Sequence, residues 1–165
     1  MGVRGVCRVI YSGGGVKASA QESILLVIDV QERLCPVMDD PRRVIFNCGR
    51  LLRGAHFLGV PAILTEHCPE SLGSVMVDLR QFPAGSAPVV KRSFSCLAEP
   101  RISEQLVSGG VRQVVLAGVE AHVCVLQTAL DLLSAGYCVF VVSDACSSRQ
   151  QGNEQMAFAR MQALG

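Results

Sequence analysis

Three side chains far apart in the sequence, Asp29, Lys91 and Cys124, are of the types that together perform nucleophilic catalysis. A thiolate attacks an electrophilic carbon, an ammonium group holds negative charge, and a carboxylate trades protons. Cys124 is the sharpest of the three. It stands in QVVLAGVEAHVCVLQTALDLLSAG, residues 113–136, where a short apolar run gives way to a helical pattern. Unpaired backbone N–H groups in a first helical turn carry partial positive charge. That placement predicts a thiol with a lowered pKa. The turn Gly118-Val119-Glu120-Ala121 could aim further N–H groups at a developing oxyanion.

Asp29 closes the apolar run SILLVIDV, residues 23–30. Such a run suits a parallel strand covered on both faces. An Asp is costly there unless it emerges at the carboxyl edge, where open α/β sheets bind their ligands. A loop-capping Asp is the plainer alternative. Lys91 ends the short run VVK. Alone it reads as a solvated charge, and it gains a role only if it shares that edge with Asp29 and Cys124. Phe94 follows in a loop that could floor a pocket. Glu66, His67 and Cys68 are all zinc-binding types, but neighbours in a strand point to opposite faces. His122 and Cys124 form an HxC pair without further ligands, so no metal is expected.

These residues need elements to position them. Asp39-Asp40-Pro41 is a helix start, with an acidic cap and Pro in the first turn. Val44, Cys48, Leu51, Leu52 and Ala55 then recur on one face until Gly59. Strands are expected at 61–65, 89–91, 113–118 and 137–143, and helices at 99–108, 123–135 and 154–164. Asp144, Ser147 and Ser148 are expected in a loop. Residues 71–87 read as an excursion over the sheet edge. Strands alternating with helices define an α/β fold, here three layers (α/β/α) around a mainly parallel, Rossmann-like sheet. Residues 1–21 read as a flexible extension, with a short strand at 7–11 and a Gly turn at 12–15, and residues 22–165 as one domain.

The chain has 165 residues, a formal net charge of +1, 5% aromatic residues and no Trp. That balance gives no footprint for nucleic acid, and no apolar run is long enough for a membrane span. Its eight Cys are scattered through apolar segments without CxxC pairs. They indicate a reducing, cytoplasmic setting. The basic, acid-free leader also has the composition of a mitochondrial targeting segment.

LLVIDVQ with Asp29, VVKRSFS with Lys91 and LAGVEAHVCVLQTALDLLSAG with Cys124 resemble the isochorismatase-like cysteine hydrolases. TEHCPESLG and SDACSSR add to the likeness, which runs from about residue 23 to 165. The resemblance implies a catalytic Asp29–Lys91–Cys124 triad and a cis peptide at Val119–Glu120. It also implies an oxyanion hole from the N–H groups of Glu120 and Cys124, and a thioester intermediate. Gln31, Phe94 and His122 are carried over as candidate pocket residues. The implied reaction is hydrolysis of a small amide or related C–N bond, without a cofactor, in a homo-oligomer. The DxH metal motif of nicotinamidases is replaced by Thr65-Glu66-His67-Cys68, which argues against both metal and nicotinamide. The family's last strand and helix are expected to lie beyond residue 165.

Two other classes compete. One is a catalytically silent scaffold or interaction protein, which predicts that the three side chains do not meet or that Cys124 has ordinary thiol reactivity. The other is a nucleotide-binding domain, which the missing Gly-rich fingerprint opposes.

Overall fold

A computed structural model describes residues 9–11, 17–82 and 87–164. The expected Gly turn at 12–15 and Cys7 lie outside them. Six strands form one sheet: β1 (Val9–Tyr11), β2 (Ser23–Ile28), β3 (Ala62–His67), β4 (Val89–Lys91), β5 (Gln113–Val119) and β6 (Cys138–Ser147). Their order is β1-β6-β5-β2-β3-β4. The pairs from β6 through β4 are all parallel, and β1 is antiparallel on β6.

Parallel neighbours require crossovers, and helices supply them. α1 (Pro41–Leu58) links β2 to β3, α4 (Pro100–Ser108) links β4 to β5, and α5 (Leu126–Ser134) links β5 to β6. Short helices α2 (Pro69–Leu72) and α3 (Val77–Arg80) decorate the excursion after β3, and α6 (Gln151–Ala163) closes the described chain. Side chains of β2 alternate between two cores. Leu25 and Val27 pack with Val44, Cys48 and Leu52 of α1. Ile24, Leu26 and Ile28 face the other way, onto Ile102 of α4, Leu132 of α5 and Met161 of α6. The result is the expected three-layer α/β/α architecture.

α1 starts and stops as its sequence dictates. The Asp40 carboxylate accepts from the Arg43 N–H, and Gly59 ends the helix in the left-handed region at φ 67°. β6 departs from expectation, since it runs on through Asp144 to Ser147. An irregularity between Leu116 and Gly118 shifts its register, so that it pairs again at Gly118–Cys146 and Val119–Ser147. α1 stabilises the irregular part: Asn47 donates to the Asp144 carbonyl at 2.7 Å and Arg43 to that of Ser143 at 3.5 Å. α6 also begins earlier than expected, at Gln151, because its polar first turn carries no apolar period to read.

The strand order reverses between β2 and β5. Chain leaving β2 goes to β3 and β4 on one side, and β5 to β6 continues on the other. Such a switch point leaves a crevice at the carboxyl ends of the strands.

Candidate active site

Asp29, Lys91 and Cys124 meet at this crevice. Asp29 follows β2 directly, and a left-handed backbone (φ 53°) turns the chain out of the strand there. Asp tolerates that conformation better than most residues. Its N–H donates to Thr65 Oγ1 at 3.2 Å. The Thr65 hydroxyl in turn donates to Asp29 Oδ1 at 2.6 Å. Lys91 Nζ lies 2.7 Å from Asp29 Oδ2, with both side chains fully buried. Nζ also donates to the carbonyls of Ser93 at 3.1 Å and Phe94 at 3.2 Å, and lies 3.4 Å from Cys124 Sγ. The ammonium is therefore held by four partners. Burial opposes its charge, but the partners facing it, the Asp29 carboxylate first, outweigh that and hold its pKa above the usual lysine value.

Cys124 sits in a π-helical turn, Ala121–Val125, between β5 and α5. Val125 N–H reaches back to the Glu120 carbonyl at 3.3 Å, and such wide turns are frequent at functional sites. The Val119–Glu120 peptide bond just before the turn is cis. The thiol departs from the sequence-based expectation. Burial, first, and the Asp29 carboxylate, second, push its pKa well above the ordinary thiol value, with Lys91 opposing. The partial charges of a helix terminus are outweighed by loss of water and by a carboxylate close by. The raised pKa favours the thiol form, so attack needs a base that takes its proton.

Gly118 lets these pieces approach. It pairs with Ile28, the residue before Asp29, at φ 121°. A Cβ there would lie 2.1 Å from the Ile28 carbonyl oxygen. Only glycine allows β5 to pass β2 this closely.

The outer residues fall differently. Gln31 is fully buried and its amide is spent on backbone. Its Nε2 donates to the carbonyls of His67 (3.1 Å) and Gly73 (2.6 Å), and its Oε1 accepts from the His67 N–H at 2.8 Å. It holds the end of β3 rather than offering its amide to a pocket. Phe94 is exposed, its ring 5.7 Å from that of His67, so it forms a lip more than a floor. His122 Nδ1 lies 2.9 Å from Ser148 Oγ, and its side chain borders an open groove of about 520 Å³ along Leu126, Met156 and Arg160. Glu120 pairs through its side chain with Arg149 at 3.5 Å. Among the described residues no three of His, Cys, Asp and Glu gather around one point. Sequence reasoning missed Thr65. Its hydroxyl type at the end of β3, opposite the Asp-bearing strand, was the available signal.

This three-layer sheet, with its crevice at the switch point, is the scaffold of a hydrolase family. The isochorismatase domain matches residues 23–165, and the chain belongs to that family. Isochorismatase domain-containing protein 2 of Danio rerio is 38% identical over 149 residues, covering 90% of this chain and 75% of that protein. The solved MAR1 ribonuclease from Caenorhabditis elegans superposes with a TM-score of 0.85 at 36% identity, over 91% of this chain and 77% of that one. YcaC from Pseudomonas aeruginosa, solved with hexane-2,5-diol and covalent acrylamide, gives 0.81 at 25% identity, over 93% of this chain and 78% of its own.

Proposed function

We propose that the chain is a metal-independent cysteine hydrolase of a small amide or related C–N bond. The observation that carries this reading is the contact of Lys91 with both Asp29 and Cys124, brought from the ends of three strands to one buried point. In the first step Asp29 accepts the Cys124 proton while Lys91 holds the resulting negative charge. The raised thiol pKa makes that transfer necessary. Sulfur then attacks the carbonyl carbon, and the oxyanion is held by the N–H groups of Glu120 and Cys124. Asp29 returns the proton to the nitrogen as the C–N bond breaks and the amine leaves. Water hydrolyses the thioester and regenerates the thiol.

Metal independence is supported by the donors at the end of β3. Glu66 alternates to the face opposite Thr65 and His67, and its Oε1 accepts from the Val75 N–H at 2.8 Å. The Pseudomonas aeruginosa relative was solved with covalent acrylamide, a small amide-bearing electrophile. We further propose a homo-oligomer in the cytoplasm, which light scattering and cell fractionation test. No helix among the described residues is long and apolar enough to cross a membrane.

The test is a panel of small carboxamides with intact-mass detection under acid quench. A mass shift on Cys124 together with ammonia or amine release is expected. Cys124→Ala and Asp29→Asn abolish both. Full turnover by either variant refutes the mechanism. A second reading, a silent scaffold, draws on the 5% exposure of Cys124 and its raised pKa. It predicts no adduct with any amide. A labelled RNA in the same panel addresses the activity named for the Caenorhabditis elegans relative.

A further inference from the structure

Strand alternation puts His67 on the same face as Thr65, two residues earlier. His67 is also the register partner of Lys91 across the parallel β3–β4 pair. Its ring therefore comes next, outward, on the face that carries Asp29, Thr65 and Lys91. Three observations distinguish it. Its backbone is fixed on both sides by the buried Gln31 amide. Its ring lies 5.7 Å from the exposed Phe94 ring, whose carbonyl holds Lys91. Its Nδ1 is buried and has no hydrogen-bond partner among the described residues. A buried polar atom left so is costly, and binding a ligand is one way to satisfy it.

The surroundings of the ring favour its neutral form. Burial, then the Lys91 charge, lower its pKa, with Asp29 opposing. A neutral imidazole has one donor and one acceptor nitrogen. Nε2 faces the Cys68 sulfur at 3.8 Å. With the proton on Nε2, directed at that sulfur, Nδ1 is an acceptor. An amide nitrogen that carries an N–H fits this arrangement, its N–H directed at Nδ1 and its lone pair left to take the proton that Asp29 returns as the amine leaves.

We propose that His67 sets specificity, its Nδ1 accepting an N–H of the substrate amide while the Phe94 ring covers the flat group. This rests on the cysteine-hydrolase reading above and narrows its substrate class from amides in general to those bearing an N–H.

The experiment compares alkylation of Cys124 by 2-chloroacetamide and by N,N-dimethyl-2-chloroacetamide, followed by peptide mapping. In both, the C–S bond forms as the C–Cl bond breaks, chloride leaves, and the thiol proton passes to Asp29. Rates are divided by those for glutathione, which removes intrinsic reactivity. The wild type is expected to prefer the primary amide by roughly three- to tenfold, the range of one neutral hydrogen bond. His67→Phe and His67→Leu lose that preference, and His67→Gln, which keeps an acceptor, retains part of it. An equal ratio in wild type and in the folded Phe or Leu variant overturns the proposal. Methyl methanethiosulfonate serves as a probe of the thiol alone. If it labels Cys124 while the ratio does not respond to His67, only the specificity role falls. If no reagent labels Cys124, the hydrolase reading falls and this inference with it.

Discussion

Replacing Lys91 by Met removes a buried cation and tests whether the site is held by charge. Among the described residues Lys91 is the largest fully buried side chain, and Met approximates its stem. At 2.7 Å from Asp29 Oδ2, with an effective dielectric constant of about 20, the gross attraction is ~6 kcal/mol. Most of that offsets the cost of taking both charges out of water. The variant keeps the Asp29 carboxylate buried without its counter-charge, and breaking one side of such a pair costs about 3–5 kcal/mol. The Ser93 and Phe94 carbonyls also lose their donor. For a domain of this size 1 kcal/mol moves Tm by about 2–4 °C, so the expected drop is ~6–20 °C. Adding Asp29→Asn removes the stranded charge, and the double variant should recover about 2 kcal/mol or more. Urea titration followed by circular dichroism at pH 7 gives all corners of the cycle. A Lys91→Met variant within about 1 kcal/mol of wild type, or a double variant no more stable than Lys91→Met alone, refutes the reasoning.

Thr65→Val keeps shape but removes the 2.6 Å hydrogen bond to Asp29. Bonds to charged groups contribute about 1.5–3 kcal/mol, so thioester formation should slow by roughly 10- to 100-fold and recover in Thr65→Ser, measured by rapid-quench mass spectrometry. Gly118→Ala drives a methyl into the Ile28 carbonyl and should cost more than about 3 kcal/mol or abolish soluble expression, read by yield and thermal melting. Stability should also fall at high pH. Burial pushes the thiols of Cys96 and Cys146 up to about 12, from 9.0 when unburied. Their neutral form is favoured by folding, so this contribution is complete below pH 9 and is lost as pH rises through 12. A loss on the order of 1 kcal/mol per thiol is expected by pH 10, and urea midpoints at pH 7, 9 and 10 should show it.

The fold was legible because its periods are clean. The run SILLVIDV is apolar on both faces since α1 covers one and α4, α5 and α6 the other. The stop of α1 at Gly59 and its start at Asp40 follow from local chemistry alone. The extent of β6 was not legible, because its continuation depends on Asn47 and Arg43, about a hundred residues away. The residue types of the site were readable, and so was the strand edge that gathers them. The ionisation of Cys124 was not, because a local helix-end argument omits the burial and the Asp29 charge that only tertiary packing creates. Gln31 misled for a related reason: its position beside Asp29 marks the crevice, while the path of β3 decides what its amide binds.

Arg43 on α1 grips both oxygens of the nearly buried Glu154 on α6, at 3.2 and 3.3 Å. Those helices pack on opposite faces of the sheet, and Arg43 also donates to the Ser143 carbonyl of β6, so the clasp joins the two outer layers beside the irregular part of that strand. Opening either outer layer by itself strands one half of the pair. The two layers should consequently exchange their amide hydrogens in concert, and Glu154→Gln should let the α6 side open at a lower free energy than the α1 side.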